Sequence, residues 1–144
     1  MSDLYEDDIV VWAEGQAKLL RLRAAGKLVN DAKLDWANIA EEIEDVGRSE
    51  RAAVESLLTQ ALLHDLKAEA WPLSRDAPTW RADARLYRRQ ARRRFTRSMA
   101  QRIDITSLYG DALAGLPERI DNQPPLPVPE VCPVTLDQLL AEEP

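Results

Sequence analysis

The sequence predicts an all-α fold: an antiparallel helical bundle of about four helices with a Pro-rich C-terminal arm and a short terminal helix. Three observations predict it. Gly is scarce, at 5 of 144 residues, while Ala, Leu, Glu and Arg are plentiful. Apolar residues recur at three- and four-residue steps, and no stretch alternates with the period of two that a half-buried strand requires. At 144 residues and 45% hydrophobic content, the chain matches one domain (1–144) with a core of its own.

Tyr5, Ile9, Trp12, Leu19 and the stem of Arg23 share one face of a first helix that should end near Gly26, a C′ residue. A second helix opens at Asp35. Its stripe of Trp36, Ile39, Ile43, Val46, Ala53, Leu57 and Ala61 runs past Gly47 to about Ala70, so one long helix is expected, with Gly47 costing about 1 kcal/mol relative to Ala. Pro72 ends it. A third helix is expected from an N-cap at Thr79, with Trp80, Ala84, Tyr87, Ala91 and Phe95 as its apolar stripe. A fourth holds Leu108, Ala112, Leu113 and Leu116 and stops around Pro117. The bundle thus occupies 1–122. Residues 123–134, with four prolines between Pro124 and Pro129, should run extended over the surface. Thr135 and Gln138 then form a capping box opening a docking helix over 135–144, which presents Leu136, Leu139 and Leu140.

Several functional classes fall away on composition. The single Cys132 cannot form an internal disulfide and has no Cys or His spacing around it that suggests zinc, which fits a reducing compartment. The N-terminus is acidic where a secretory signal is basic, and no apolar run reaches the 18 to 20 residues of a membrane span. A cytoplasmic protein without a membrane partner is expected.

The net charge of −6 conceals a separation of sign. Between Arg75 and Arg102 stand ten arginines and two aspartates, a local +8, so the remainder carries −14. On the third helix Arg81, Arg85, Arg88 and Arg92 follow one stripe, and Arg89, Arg93 and Arg97 a second. Such stripes could track a phosphate backbone, which makes Arg85, Arg88, Arg89, Arg92 and Arg93 the candidates for anion or nucleic-acid contact. Pairing with the acidic helices of the same chain is the simpler expectation, since the protein as a whole is acidic.

The acidic run Glu41-Glu42-Ile43-Glu44-Asp45 invites a metal reading. Carboxylates one helical turn apart can hold Mg²⁺ or Mn²⁺ against a phosphorylated substrate, because a hard cation takes oxygen ligands and retains water. Glu41, Glu42, Glu44 and Asp45 are the candidate ligands. The run superficially resembles the E-E-x-x-D/E motif of all-α nucleotide pyrophosphatases, but the second acidic pair that such enzymes need, E-x-x-D downstream, is missing: Asp65 and Glu69 are four apart and position 62 is Leu. A solvated acidic face that pairs with arginines accounts for the run more simply, and no cofactor is predicted.

Three polar residues interrupt the apolar stripes. Gln16 stands between Trp12 and Leu19, Glu50 four residues after Val46, and His64 seven after Leu57, so Glu50 and His64 are expected to share the bundle interior. There they are the candidate acid/base pair or, more simply, members of a hydrogen-bonded network with Gln16, an indole N–H or an arginine of the third helix. A ferritin-type dimetal site is excluded, because Ala61 stands where its Glu-x-x-His motif needs Glu.

These residues together resemble DUF29, a bacterial family of unknown function. The resemblance runs through Tyr5-Glu6-x-Asp8, Trp12, Gln16 and Leu19-Leu20-Arg21. It continues in Asp35-Trp36-x-x-Ile39-Ala40-Glu41-Glu42-Ile43-Glu44, Gly47, Ser49-Glu50, Leu63-His64-x-x-Lys67, Trp80-Arg81 and Leu108-Tyr109. It closes on Pro129 and Cys132-Pro133-x-Thr135-x-x-Gln138-Leu139-Leu140, departing at Val134, where the family usually has Trp; that should weaken docking of the arm. The resemblance implies an all-helical fold and no established activity. The function expected first is a non-enzymatic, homodimeric module that binds a protein partner through its Trp-bearing helices and arginine stripe. The alternatives are a metal-dependent hydrolase of a phosphorylated or nucleotide substrate and a nucleic-acid accessory protein.

Overall fold

Asp8 shows how local chemistry sets the elements. Its backbone is extended (φ −152°, ψ 88°) and its side chain accepts from the Val11 amide, so it closes helix α1 (Leu4–Asp7) and caps helix α2 (Ile9–Ala24). The first helix is therefore two, because an aspartate offers the backbone a cap in competition with helix continuation. Gly26, at φ 78°, follows α2 in the left-handed conformation that L side chains rarely adopt. Helix α3 (Trp36–Ala70) runs 35 residues without a break at Gly47, as expected. Helix α4 (Ala77–Arg94) begins two residues before the expected Thr79 cap, because Pro78 sits in the first turn, where its missing N–H costs nothing. Helices α5 (Ile105–Ala114) and α6 (Leu136–Leu140) follow.

The computed structural model describes residues 3–141; the final residues of the expected 135–144 helix lie outside the described residues. The chain is all-α, with no strand among the described residues beyond an isolated Ile120–Gln123 bridge. None of the described helices is long and apolar enough to cross a membrane. The chain divides into two compact units, Met1–Arg48 and Ser49–Pro144.

In the first unit, α2 and the start of α3 pair antiparallel around a small core of Trp12, Leu34 and Ile39. The Trp12 indole donates to Asp35 Oδ2 at 3.0 Å, and the Asp35 amide donates to Gln16 Oε1 at 2.8 Å, which ties the start of α3 to α2. In the second unit, Val54, Leu58, Leu62 and Leu66 of α3 pack with Ala91 of α4, with Leu108, Tyr109 and Ala112 of α5, and with Leu139 of α6. The buried alanines Ala77, Ala84 and Ala91 recur every seven residues along α4, consistent with its expected apolar stripe.

The Pro-rich arm is tied down as expected. The Trp71 indole donates to Gln123 O at 2.9 Å, the Leu126 amide to Ala70 O at 2.9 Å, and the Tyr109 hydroxyl to Pro129 O. The capping box forms in full: Thr135 accepts from the Gln138 amide, and the Gln138 side chain accepts from the Thr135 amide. Arg92 then donates to the carbonyls of Leu140 (2.7 Å) and Ala141 (2.8 Å), satisfying acceptors that a short helix leaves open. Val134, expected to weaken docking of the arm, packs against the core.

Candidate functional site

Arg48 organises the acidic run. Its guanidinium donates to Glu41 Oε1 at 2.7 Å, to Glu44 Oε2 at 3.3 Å and to Asp45 Oδ1, so three of the four carboxylates read as metal ligands surround a cation that the chain itself supplies. Those contacts, the Asp45 bonds foremost, hold the Arg48 pKa above its ordinary value. Glu42 turns the other way and accepts from the Tyr5 hydroxyl at 2.6 Å. That bond is the main reason the phenol is pushed up to about 12, with desolvation and the neighbouring carboxylates adding to it. The four carboxylates do not converge on one point, and among the described residues no group of three or more His, Cys, Asp or Glu is arranged to hold a metal ion.

Glu50 and His64 are not brought together. Fourteen residues of one continuous helix separate them, about 21 Å of axial rise at 1.5 Å per residue. Glu50 is exposed and pairs with Arg94 at 3.3 Å, against the expectation that it projects into the interior. The carboxylate takes the solvated edge, where an arginine of α4 reaches it at little desolvation cost. His64 is half-buried, with Nδ1 placed to donate to the Gln60 carbonyl at 2.7 Å and its ring 5.2 Å from that of Tyr87. Gln16 joins neither residue: it accepts from Asp35 N and donates to Lys33 O. The single interior network expected from the sequence is three separate local ones.

The arginines of α4 divide differently from the two expected stripes. Arg88 and Arg92 are half-buried; Arg88 lies 3.4 Å from Asp65, and Arg92 holds the end of α6. Arg94 takes Glu50. Arg81, Arg85, Arg89 and Arg93 are exposed and follow one another at four-residue steps, with no ion pair to any described residue.

What sequence reasoning missed lies in the first unit. Ile43 and Val46, expected to face the core, are each 67% exposed, and Trp36 is 50% exposed. With Trp12, Leu20 and Ile39, Ile43 and Val46 line a groove of about 260 Å³ between α2 and α3, which Gln16 and Glu42 edge with polar atoms. Val10 at the start of α2 is 62% exposed, and Ile9 and Val11 flank it, exposed as well. The signal was present in Ile9-Val10-Val11, because three successive residues of a helix cannot share one buried face. A second cavity, of about 280 Å³, lies in the other unit, where Trp71, Pro72, Ile120, Pro124 and Leu126 line it.

No curated protein matches the chain. A crystal structure of an α-helical protein of unknown function from Rhodospirillum rubrum is similar to it: the two share 32% identity and a TM-score of 0.66, over 99% of this chain and 92% of the other. The family model described as domain of unknown function DUF29 matches residues 4–143, nearly the whole chain, and the chain belongs to that family.

Proposed function

We propose that the protein is a bacterial, cytoplasmic interaction module whose first unit pairs with the same unit of a second copy. The observation behind this reading is the open apolar groove between α2 and the start of α3. Two antiparallel helices that each present an apolar stripe are half of a four-helix bundle, and a second hairpin placed by a two-fold axis supplies the other half. The small core of the unit supports the same conclusion. Trp12, Leu34 and Ile39 are its buried apolar residues, while Ile9, Val10, Val11, Ile43 and Val46 remain in water. Fully burying one Val or Ile side chain is worth about 1.5–3 kcal/mol, so covering Ile43 and Val46 of the groove on both copies offsets much of the entropy lost on association. A bacterial relative, a lone thiol and the lack of a membrane-spanning helix among the described residues support the cytoplasmic assignment.

The charge of the unit supplies the discriminating test. Residues 1–48 hold eleven Asp and Glu against six Lys and Arg, a net −5, so two copies meet against like-charge repulsion that salt screens. Light scattering after gel filtration should give the mass of two chains, and added salt should tighten the dimer. Ile43→Asp with Val46→Asp should yield a monomer of unchanged helical circular dichroism. A single-chain mass at every concentration and salt would overturn the proposal. A dimer indifferent to the double variant would place its interface elsewhere and overturn it equally.

A further inference from the structure

The exposed arginine row of α4 belongs to the second unit, and we infer that it is a binding site for the phosphodiester backbone of a nucleic acid. Two kinds of arginine stand on one helix. Arg88, Arg92 and Arg94 serve the fold, through Asp65, the α6 carbonyls and Glu50. Arg81, Arg85, Arg89 and Arg93 stand in solvent with no ion pair to any described residue.

Like charges four apart on a helix repel, and each adjacent pair in the row costs the isolated helix a few tenths of a kcal/mol. No described carboxylate pairs with the row to offset that repulsion, whereas Arg23, Arg48, Arg51, Arg88 and Arg94 each have a carboxylate partner. From Arg81 to Arg93 the row spans twelve residue steps, about 18 Å along the helix axis, so it presents its charges as a line to an extended polyanion. All seven cations of α4 are arginine, whose planar fork matches two phosphate oxygens at once.

An acidic protein surface is the competing ligand, and the composition of the face disfavours it. The core of a protein interface is apolar and depleted in charge, whereas the one large apolar side chain exposed on α4 is Leu86. The interaction is of the sequence-independent kind, contacting backbone rather than base edges.

Counterion release makes the inference quantitative. Four phosphate contacts predict a slope of log K against log salt of about −3.6 on duplex DNA and about −2.8 on single strands, so affinity falls roughly 50- to 150-fold between 50 and 200 mM salt. The test is fluorescence anisotropy with labelled duplex and single-stranded oligonucleotides of mixed sequence, using the full chain. Arg85→Gln and Arg89→Gln should each reduce the slope by about 0.7–0.9. The variant with all four row arginines changed to Gln should lose binding while its melting temperature stays the same or rises. Absence of binding to either oligonucleotide at 50 mM salt would overturn the inference, as would an unchanged slope in the fourfold variant. Displacement of the oligonucleotide by a polyglutamate peptide of equal charge would also overturn it, making the ligand an acidic protein segment.

Discussion

Asp35 links two helices through one side chain. It accepts from the Asn38 side chain at 2.8 Å and from the Trp12 indole at 3.0 Å, and these bonds, the Asn38 one foremost, hold its pKa below the ordinary carboxylate value against the opposing effect of desolvation. A depressed folded pKa means that the ionised form is the one that folding favours. The stabilisation is complete above the unfolded aspartate value of about 3.9 and is lost as pH falls through the lower folded value. Asp35→Asn keeps the size and an acceptor oxygen but removes the charge. Its melting temperature should fall below that of the wild type at neutral pH, and the gap should close as the pH drops under 4. A gap that stays constant down to pH 2 would show that the charge of Asp35 contributes nothing to the fold. Arg48 teaches a related lesson at this scale. Glu41, Glu44 and Asp45 were visible in the sequence as a cluster, and so was the arginine a turn further on. Which of the two would organise the other is a question of side-chain rotamers, and periodicity does not fix those.

Gly47 is the weak point of α3. It lies in an exposed stretch of the helix, and an added Cβ would meet nothing within 4 Å. Gly47→Ala should therefore stabilise the protein by about 1 kcal/mol in urea unfolding, through the lower backbone entropy of Ala in the unfolded chain. Destabilisation would show that the position is crowded in solution, by a second copy for instance. Most helices were legible in the sequence because their signals are local: the α3 run past Gly47, the capping box at Thr135 and the Pro-rich arm all follow from a few adjacent residues. The failures are those of long-range phase. Ala61 is buried as the stripe extended from Trp36 expects, but that stripe also put Ala53 and Leu57 in the core, where the fully buried residues of that stretch are Val54 and Leu58. A seven-residue repeat drifts by about 20° per heptad against a straight helix, so a stripe extended over two or three heptads loses much of a residue's width. Asp8 and the 3₁₀ turn at Arg97–Gln101 escaped for a different reason, since single-turn breaks cost too little to leave a mark on the apolar pattern.

The two units differ in how much apolar surface they bury, and this should appear in their dynamics. The second unit has a core of eleven buried residues, from four helices and the segment between α4 and α5, and the first a core of three. Local opening follows buried contacts, so amides of α2 and of residues 36–46 should exchange with solvent at a lower opening free energy than those of residues 54–66 on the same helix. Continuity of α3 allows this, because a helix can fray from its N-terminal half back to an exposed glycine without breaking the hydrogen bonds beyond it. Association of the first unit with a second copy would add protection there alone, in proportion to protein concentration. Native-state hydrogen exchange at two protein concentrations measures both effects. The expected result is a lower opening free energy in the first unit, rising with concentration in the wild type and flat in Ile43→Asp with Val46→Asp. Equal opening free energies along the whole of α3 would mean that the two units unfold as one, and that the apolar groove of the first is held as firmly as the core of the second.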